Sequence, residues 1–287
     1  MGIIAKLLPL GLAFIMFAMG LTLSIRDFTK LARHPLAVAL GLSVQMVMLP
    51  LAAFALLTAF PLRPEFAVGV MILAACPGGI TSNMITHIAR GDTALSITLT
   101  AITSLAGMIT VPLITAFALS HFMGQQLSGS LPVAQMALKV FAVSTLPVAI
   151  GMAINHFAPR AAESIEKVAR PISLVVFALI VIWAFANQWR VMMDNMSEIG
   201  PVVIALNAGI MALGFGLALA LALPRPQAVA IAVEGGLQNG ALGIFVAFDL
   251  LNNPDMMTPS ITYTLVMNVT AALFIAWLLA SRQGQEA

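Results

Sequence analysis

The chain alternates long, charge-free apolar runs with short stretches that hold turn residues and charges. Those runs predict nine helices, at about 4–24, 36–60, 65–89, 92–121, 131–156, 167–188, 200–223, 227–250 and 257–281. About 20 apolar residues cross a bilayer as a helix, so each run counts as a span, numbered one to nine. His34-Pro35, Phe60-Pro61, Pro224-Arg225-Pro226 and Asn252-Asn253-Pro254 supply breakers between them. In the first run Lys6 precedes 19 charge-free residues, Leu7 to Ile25, and no A-x-A-like site ends it. It therefore reads as a retained span rather than a signal peptide.

Two spans depart from this pattern. Span three carries Pro77, Gly78 and Gly79 in mid-run, followed by Thr81, Ser82, Asn83 and Thr86. Span eight carries Glu234-Gly235-Gly236 and then Gln238-Asn239. Proline removes a helix hydrogen bond and paired glycines favour unwinding. At membrane depth such backbone is tolerated only where protein or a water-filled cavity satisfies it. A kink packed through small residues would explain one such stretch. Two of them, on spans that cross in opposite directions, form the pattern of an inverted repeat with a binding site at its centre. The repeat unit would be five spans; four precede the loop between spans four and five, so the first half is expected to lack its first helix.

Composition fixes the class. Of 287 residues, 61% are hydrophobic and 8% charged, with a mean hydropathy of +1.03. Those values exclude a soluble fold and predict an all-α polytopic membrane protein, one transmembrane domain over 1–287. A net charge of +2 implies no nucleic-acid partner, and no obligate protein partner is evident. Cys76, the lone cysteine, excludes an intramolecular disulfide and reads as packing. With nine spans, Lys6, Arg63 and Arg190 share the N-terminal face. Arg26, Lys30, Arg33, Arg90, Arg160, Lys167, Arg170, Arg225 and Arg282 share the other. That bias places the N-terminus outside and the C-terminus in the cytoplasm, in an inner (plasma) membrane. Lys139, inside span five, reads as a snorkelling side chain. Trp189 and Tyr263 fit an interfacial belt. His87, Arg90 and Asp92 read as a solvated loop.

Glu234 is the most informative single residue. A carboxylate inside a span costs a few kcal/mol and usually marks an ion or substrate path. Its plain alternative is a side chain near the end of span eight that reaches the headgroups. In an intact helix Gln238 and Asn239 point about 100° apart; an unwound segment lets both converge and frees main-chain carbonyls. A carboxylate, amides and carbonyls form an all-oxygen set for a hard cation, with a single charge that suits a monovalent one. Span four adds Thr93, Ser96, Thr100 and Ser104 along one helical face, with Thr98, Thr103 and Thr110 off it. Each hydroxyl has the alternative of back-bonding to its own helix. Gln45, five residues before Pro50, is either a buried structural amide or a ligand. No HExxH, GxSxG, Walker or dinucleotide fingerprint has a supporting context.

Cys76-Pro77-Gly78-Gly79 with Ser82-Asn83, Arg90-Gly91-Asp92 with Ala94-Leu95-Ser96, and Glu234-Gly235-Gly236-Leu237-Gln238-Asn239 together resemble the bile acid:sodium symporter family, its bacterial members most closely. The resemblance runs from about Leu12 to Ala280. It implies an inverted repeat whose spans three and eight are discontinuous and cross. It implies a core domain, about 36–121 and 200–281, and a panel domain, about 4–24 and 131–188. It implies two sodium sites, one from Ser82, Asn83, Ser96, Thr100 and Glu234. The other would use Gln45, Glu234 and Gln238 with main-chain carbonyls of Gly235 and Leu237. Asn239 and the Ile80–Ser82 region, Thr81 included, would face the substrate. Ile80 stands where relatives commonly carry a small or hydroxyl residue, and Leu237 where they often carry Met.

The expected function is thus sodium-coupled import of an organic anion, bile-acid-like or a small carboxylate such as a keto acid or pantothenate precursor. Two other classes stand beside it. An intramembrane enzyme acting on a lipid would need a nucleophile, a metal set or paired carboxylates, and no catalytic residue is assigned. A non-transporting receptor would need an output domain, for which the seven residues after Ala280 leave little room.

Overall fold

The computed structural model describes residues 3–24, 34–124 and 133–286. Arg26, Lys30 and Arg33, used above for orientation, lie outside the described residues. All regular structure described is helical apart from one isolated bridge. The helices are α1 (Ile3–Thr22), α2 (Pro35–Ala59), α3 (Pro64–Ala75), α4 (Ile80–Ile88) and α5 (Thr93–Met123). Then come α6 (Val133–Phe157), α7 (Pro159–Asp194) and α8 (Met196–Ala220). The last are α9 (Arg225–Gly236), α10 (Gly240–Leu250) and, after a 3-10 turn at Pro254–Met257, α11 (Thr258–Glu286). Among the described residues six helices are long and apolar enough to cross a membrane: α2, α5, α6, α7, α8 and the stretch Pro254–Ser281. Leu7–Thr22, α3 and α10 are shorter apolar helices. The protein is a multi-pass membrane protein.

Local chemistry sets the ends of these helices. Proline opens α2, α3 and α7 near their first residue, where a missing N–H costs nothing. The Asp92 side chain accepts the Leu95 N–H at 3.0 Å and caps α5, which Gly124 ends at φ 64°. The apolar pattern predicts a loop from about 157 to 166, but α7 begins at Pro159. The i,i+4 pairs Lys167–Glu163 (2.9 Å) and Arg170–Glu166 (3.6 Å) keep this polar stretch helical beyond the apolar run. Two π turns, Val44–Met48 and Phe141–Thr145, stand just ahead of Pro50 and Pro147. Proline cannot return a hydrogen bond four residues back, and the widened turn lets Leu49 and Leu146 bond to Val44 and Phe141 instead. The first of these turns carries Gln45.

The described helices pack against one another along the chain and across it, α5 on α6 among them. α1 lies on α6 and α7, while α8 lies on α9 and α11, and α3 on α5. The α1–α6 contact is a close approach of small residues: a β-carbon on Gly20 would strike the main chain of Val148, and one on Gly151 that of Phe17 to Leu21. In lipid, where apolar surface drives little association, such backbone-to-backbone fit is a main source of helix pairing. α9 is buried from Gln227 to Gly236, and α3 from Phe66 to Ala75, on every side. The buried stretch of α3 is apolar all round for that reason, and that of α9 is so apart from Gln227 and Glu234.

The two expected interruptions are present. Residues 76–79 separate α3 from α4, and residues 237–239 separate α9 from α10. The extended segments meet as an antiparallel bridge between Gly78 and Gln238, and the Asn239 N–H donates to the Pro77 carbonyl at 2.9 Å. Each break thus satisfies part of the other's backbone, as membrane depth requires. Tyr263 corrects the aromatic-belt expectation. It is fully buried in α11, whereas Trp189 is 47% exposed.

Gly151→Ile should force α1 away from α6 and destabilise the protein by about 1–3 kcal/mol. Melting in detergent reads that loss; an unchanged midpoint would mean the close approach contributes nothing.

Candidate functional site

The paired breaks place the last turn of α9 beside the first turns of α4 and α5. Glu234 is 1% exposed, so it does not reach the headgroups. Ser96 Oγ contacts its Oε2 at 2.8 Å, and Thr100 Oγ1 donates to its Oε1. Ser96 and Thr100 are one turn apart on α5, as the polar stripe predicts. Asn83 Oδ1 lies 2.8 Å from Ser96 Oγ and 3.4 Å from Thr100 Oγ1. Ser82, also buried, donates to the Gly79 carbonyl at 2.7 Å. Ser96 has a single hydroxyl proton but two acceptors at 2.8 Å, Asn83 Oδ1 and Glu234 Oε2. Thr86 Oγ1 adds a further hydroxyl, donating to Ser96 Oγ at 3.3 Å, so uncharged hydroxyl and amide groups surround the carboxylate. No ion pair among the described residues involves Glu234. Gly78 permits this approach, because a β-carbon there would land on Glu234 Oε1.

A second oxygen cluster forms on the other side of α9. With the Gln45 amide nitrogen toward Gln238 Oε1 at 2.8 Å, its oxygen stands 2.8 Å from the Glu234 carbonyl oxygen. Turned over, its nitrogen donates to that carbonyl and its oxygen accepts from the Gly78 N–H at 3.0 Å, but then faces Gln238 Oε1. Turning Gln238 in step moves the clash to the Gly235 carbonyl, 2.7 Å from Gln238 Nε2. Each orientation leaves oxygen against oxygen, a contact that a cation relieves. Glu234 takes part in both clusters, by its carboxylate in one and its carbonyl in the other. Leu237, buried, ends α9 between them.

The remaining candidates separate. Asn239 Oδ1 caps α10 by accepting the Leu242 N–H at 3.1 Å, and its Nδ2 lies 3.7 Å from Met16 Sδ on α1. Thr81 and Asn239 line a small cavity shared with Met16, Ser173 and Phe177. Ile80 opens α4. On the α5 stripe, Thr93 lines a larger cleft, and Ser104 Oγ is buried with no partner among the described residues. Thr98, Thr103 and Thr110 bond to carbonyls of their own helix. The larger cleft, about 270 Å³, lies between α1 and α7 on one side and α4 and α5 on the other. Asn83 and Arg170 line it together with His87, which is exposed as expected but belongs to the last turn of α4 rather than to a loop. Asp92 is not free either, since its N–H donates to the Pro226 carbonyl at 2.8 Å.

Two contributors escaped the sequence pattern. The Gly236 carbonyl accepts from Asn207 Nδ2 at 2.7 Å and from Tyr263 OH at 2.9 Å, and Asn207 Oδ1 accepts from Thr270. Asn207 gives the same signal as Gln45, a lone amide in an apolar span. For Tyr263, distance along the chain suggested the interface, while its hydroxyl needed a buried partner.

A multi-pass helical membrane protein, with two broken helices that meet around a buried carboxylate and uncharged polar groups, is the class these features define. The chain belongs to the sodium bile acid symporter family, whose profile matches residues 9–195. It is 30% identical to an uncharacterized sodium-dependent transporter of Bacillus subtilis (strain 168), over 96% of this chain and 83% of that protein. It is 29% identical to the ileal sodium/bile acid cotransporter of Homo sapiens, over 98% of this chain and 81% of that one. A probable sodium/metabolite cotransporter of the chloroplast of Oryza sativa subsp. japonica is 27% identical over 94% of this chain. This chain spans 64% of that rice protein's length.

Tyr263→Phe should cost about 1 kcal/mol, the net worth of one hydrogen bond, because Asn207 still serves the Gly236 carbonyl. Asn207→Leu should cost more, since it removes two hydrogen bonds, one to the Gly236 carbonyl and one from Thr270, whose hydroxyl falls back on the Val266 and Met267 carbonyls. Melting in detergent ranks the two, and the reverse order would contradict the division of labour.

Proposed function

We propose that the protein is a sodium-coupled secondary transporter that imports an organic anion by alternating access. One observation carries this reading: Glu234, buried with no cationic partner among the described residues, sits where two broken helices meet, amid hydroxyls, amides and main-chain carbonyls. Burying such a charge is costly unless something neutralises it, and a sodium ion fits the all-oxygen surroundings. Two sodium sites follow from the two clusters. The first would take Ser82, Asn83, Ser96, Thr100 and the Glu234 carboxylate. The second would take Gln45 and Gln238 with the carbonyls of Glu234, Gly235 and Leu237. The names of the relatives, sodium-dependent transporter and sodium cotransporters, support sodium as the coupling ion.

In this reading α3 with α4, and α9 with α10, each make one crossing, giving nine spans. Helices α2 to α5 and α8 to α11 form the core, and α1, α6 and α7 the panel. The break in each crossing lies at the core's centre, facing the panel, with Thr81, Ser82, Asn239 and the α4 start at Ile80 toward substrate. The basic loops lie in the cytoplasm. An anion is the fitting substrate class, because two sodium ions beside one carboxylate leave a surplus of one positive charge. A small carboxylate is the preferred member. No chemistry on the substrate is proposed.

Sodium chloride should raise the melting temperature of the detergent-solubilised protein where choline chloride does not, by about 2.7 kcal/mol of stability at a hundred times the dissociation constant. Glu234→Ala should abolish the difference. Equal responses of the unmodified protein to both salts would overturn the sodium sites.

Moving two sodium ions with a monoanion carries one net charge inward, worth about 2.3 kcal/mol per 100 mV. Sodium-driven uptake of a radiolabelled monocarboxylate into proteoliposomes should therefore accelerate when valinomycin and a potassium gradient make the interior negative. Uptake indifferent to voltage would rule out this stoichiometry.

A further inference from the structure

Helix α7 borders the cleft near its start and meets α10 farther along. There Trp183 on α7 and Phe248 on α10 pack edge to face, with ring centroids 5.1 Å apart and planes at 85°. Both rings are half-buried and pack against the apolar core. Asp249, the next residue on α10, lies within electrostatic reach of Lys139 on α6. Asp249 and Lys139 are both exposed, and such a pair contributes little. The ring contact is therefore the firmer of the two. Edge-to-face geometry adds to the burial of the rings, because ring edge and ring face carry opposite partial charge.

Position gives this contact a role. Phe177 on α7 and Asn239, which caps α10, both line the small cavity at the breaks, of about 20 Å³. Met16 lines it too and is fully buried, with its Sδ 3.7 Å from Asn239 Nδ2 and 3.6 Å from Ser144 Oγ on α6. Trp183 stands six residues past Phe177, about 9 Å farther along the axis, and Phe248 lies on α10 beyond its cap. The two rings thus close the seam between α7 and α10 on one side of the cavity. On the other side, toward the basic loops, α7 borders the cleft of about 270 Å³. The breaks are open to one face and shut from the other.

We propose that Trp183 and Phe248 form a gate, holding the seam between α7 and α10 shut on the face opposite the basic loops and parting to admit the transported molecule from that face. The gate rests on the transporter reading for its purpose and names the contact that this reading requires to open. Lys139 and Asp249 stand at its rim. Ring-on-ring contact excludes water while closed, and its parting breaks no ion pair. Neither ring takes part in holding sodium.

The test reads access to the small cavity from each face. In the full chain carrying Cys76→Ala, Leu174→Cys places a single thiol at that cavity. Intact cells are treated from outside with the membrane-impermeant reagent 2-(trimethylammonio)ethyl methanethiosulfonate. Trp183→Ala and Phe248→Ala should each raise the reaction rate about tenfold, the shift that loss of one aromatic pair gives a two-state equilibrium. Trp183→Phe should keep the rate low. A rate unchanged by both alanine substitutions would overturn the gate. Thr22→Cys, at the cleft, serves as the control in inside-out vesicles, where the alanine substitutions should not raise its rate. A rise at both thiols would mark a loosened fold and overturn the gate as well. The readout needs neither sodium nor substrate. If uptake proves independent of sodium while the rate at Leu174→Cys alone still rises, sodium coupling fails and the gate stands; an unchanged rate beside sodium-driven uptake sinks the gate and spares the transporter reading.

Discussion

A single buried carboxylate governs this structure. Glu234 has no basic side chain among the described residues to pair with it, and it is all but inaccessible. Everything around it lowers the cost of keeping it there. Ser96 and Thr100 present hydroxyls from α5, Gly78 leaves out the side chain that would collide with it, and Ser82 and Asn83 follow on the first turn of α4. Those neighbours are polar but neutral. In the proposed reading they orient a sodium ion beside the carboxylate and cannot replace it.

The broken backbone is the other half of the same arrangement. Ending α9 at Gly236 exposes carbonyls that an intact helix would occupy, and at membrane depth each needs a partner. The Gly236 carbonyl is served by Asn207 and Tyr263, and the Pro77 carbonyl by the Asn239 N–H. The carbonyls of Glu234 and Gly235 turn instead toward Gln45 and Gln238, where acceptors are in excess. The Gly236 carbonyl is thus held by two donors and the Gly235 carbonyl by the Gln238 amide at 2.7 Å, while in the proposed reading the carbonyls before Gly236 also face an ion. Partition of roles along three consecutive residues is possible only because the helix stops there.

Much of this was legible in the chain. Pro77-Gly78-Gly79 and Glu234-Gly235-Gly236 announce the breaks, because proline and paired glycines act through local backbone chemistry. Ser96 and Thr100 announce their common face through helical period. What stayed hidden depends on which helices touch. Nothing local says that Asn207 meets the Gly236 carbonyl, and Tyr263 lies near the end of its apolar run yet is enclosed by packing. The start of α7 at Pro159 was missed for a different reason. Apolar runs report where a helix is buried in lipid, while the i,i+4 charge pairs that extend it carry no hydropathy signal. His87 shows the same limit, since its place in the cleft depends on α7 lying opposite.

The paired breaks are alike in backbone and unlike in charge. Counting four residues back from the bridged Gly78 and Gln238 gives Ala74 on α3 and Glu234 on α9. Ser96 and Thr100 on α5 have a matching pair in Ser260 and Thr264 on α11, both buried and likewise one turn apart. Ser260 Oγ has no partner in the described structure, and Thr264 Oγ1 bonds back to the Ser260 carbonyl at 2.7 Å. On the α11 side the hydroxyls are therefore present, but Ala74 and Gly243 stand where α9 and α4 place Glu234 and Asn83. A β-carbon on Gly243 would crowd Ser260 Oγ, so the space is filled by close packing rather than held open. Two carboxylates across one crossing would repel each other with no cationic side chain to offset them. In the proposed reading, confining the charge to α9 leaves one carboxylate at the crossing for ions to neutralise, with the close packing of Gly243 on Ser260 beside it.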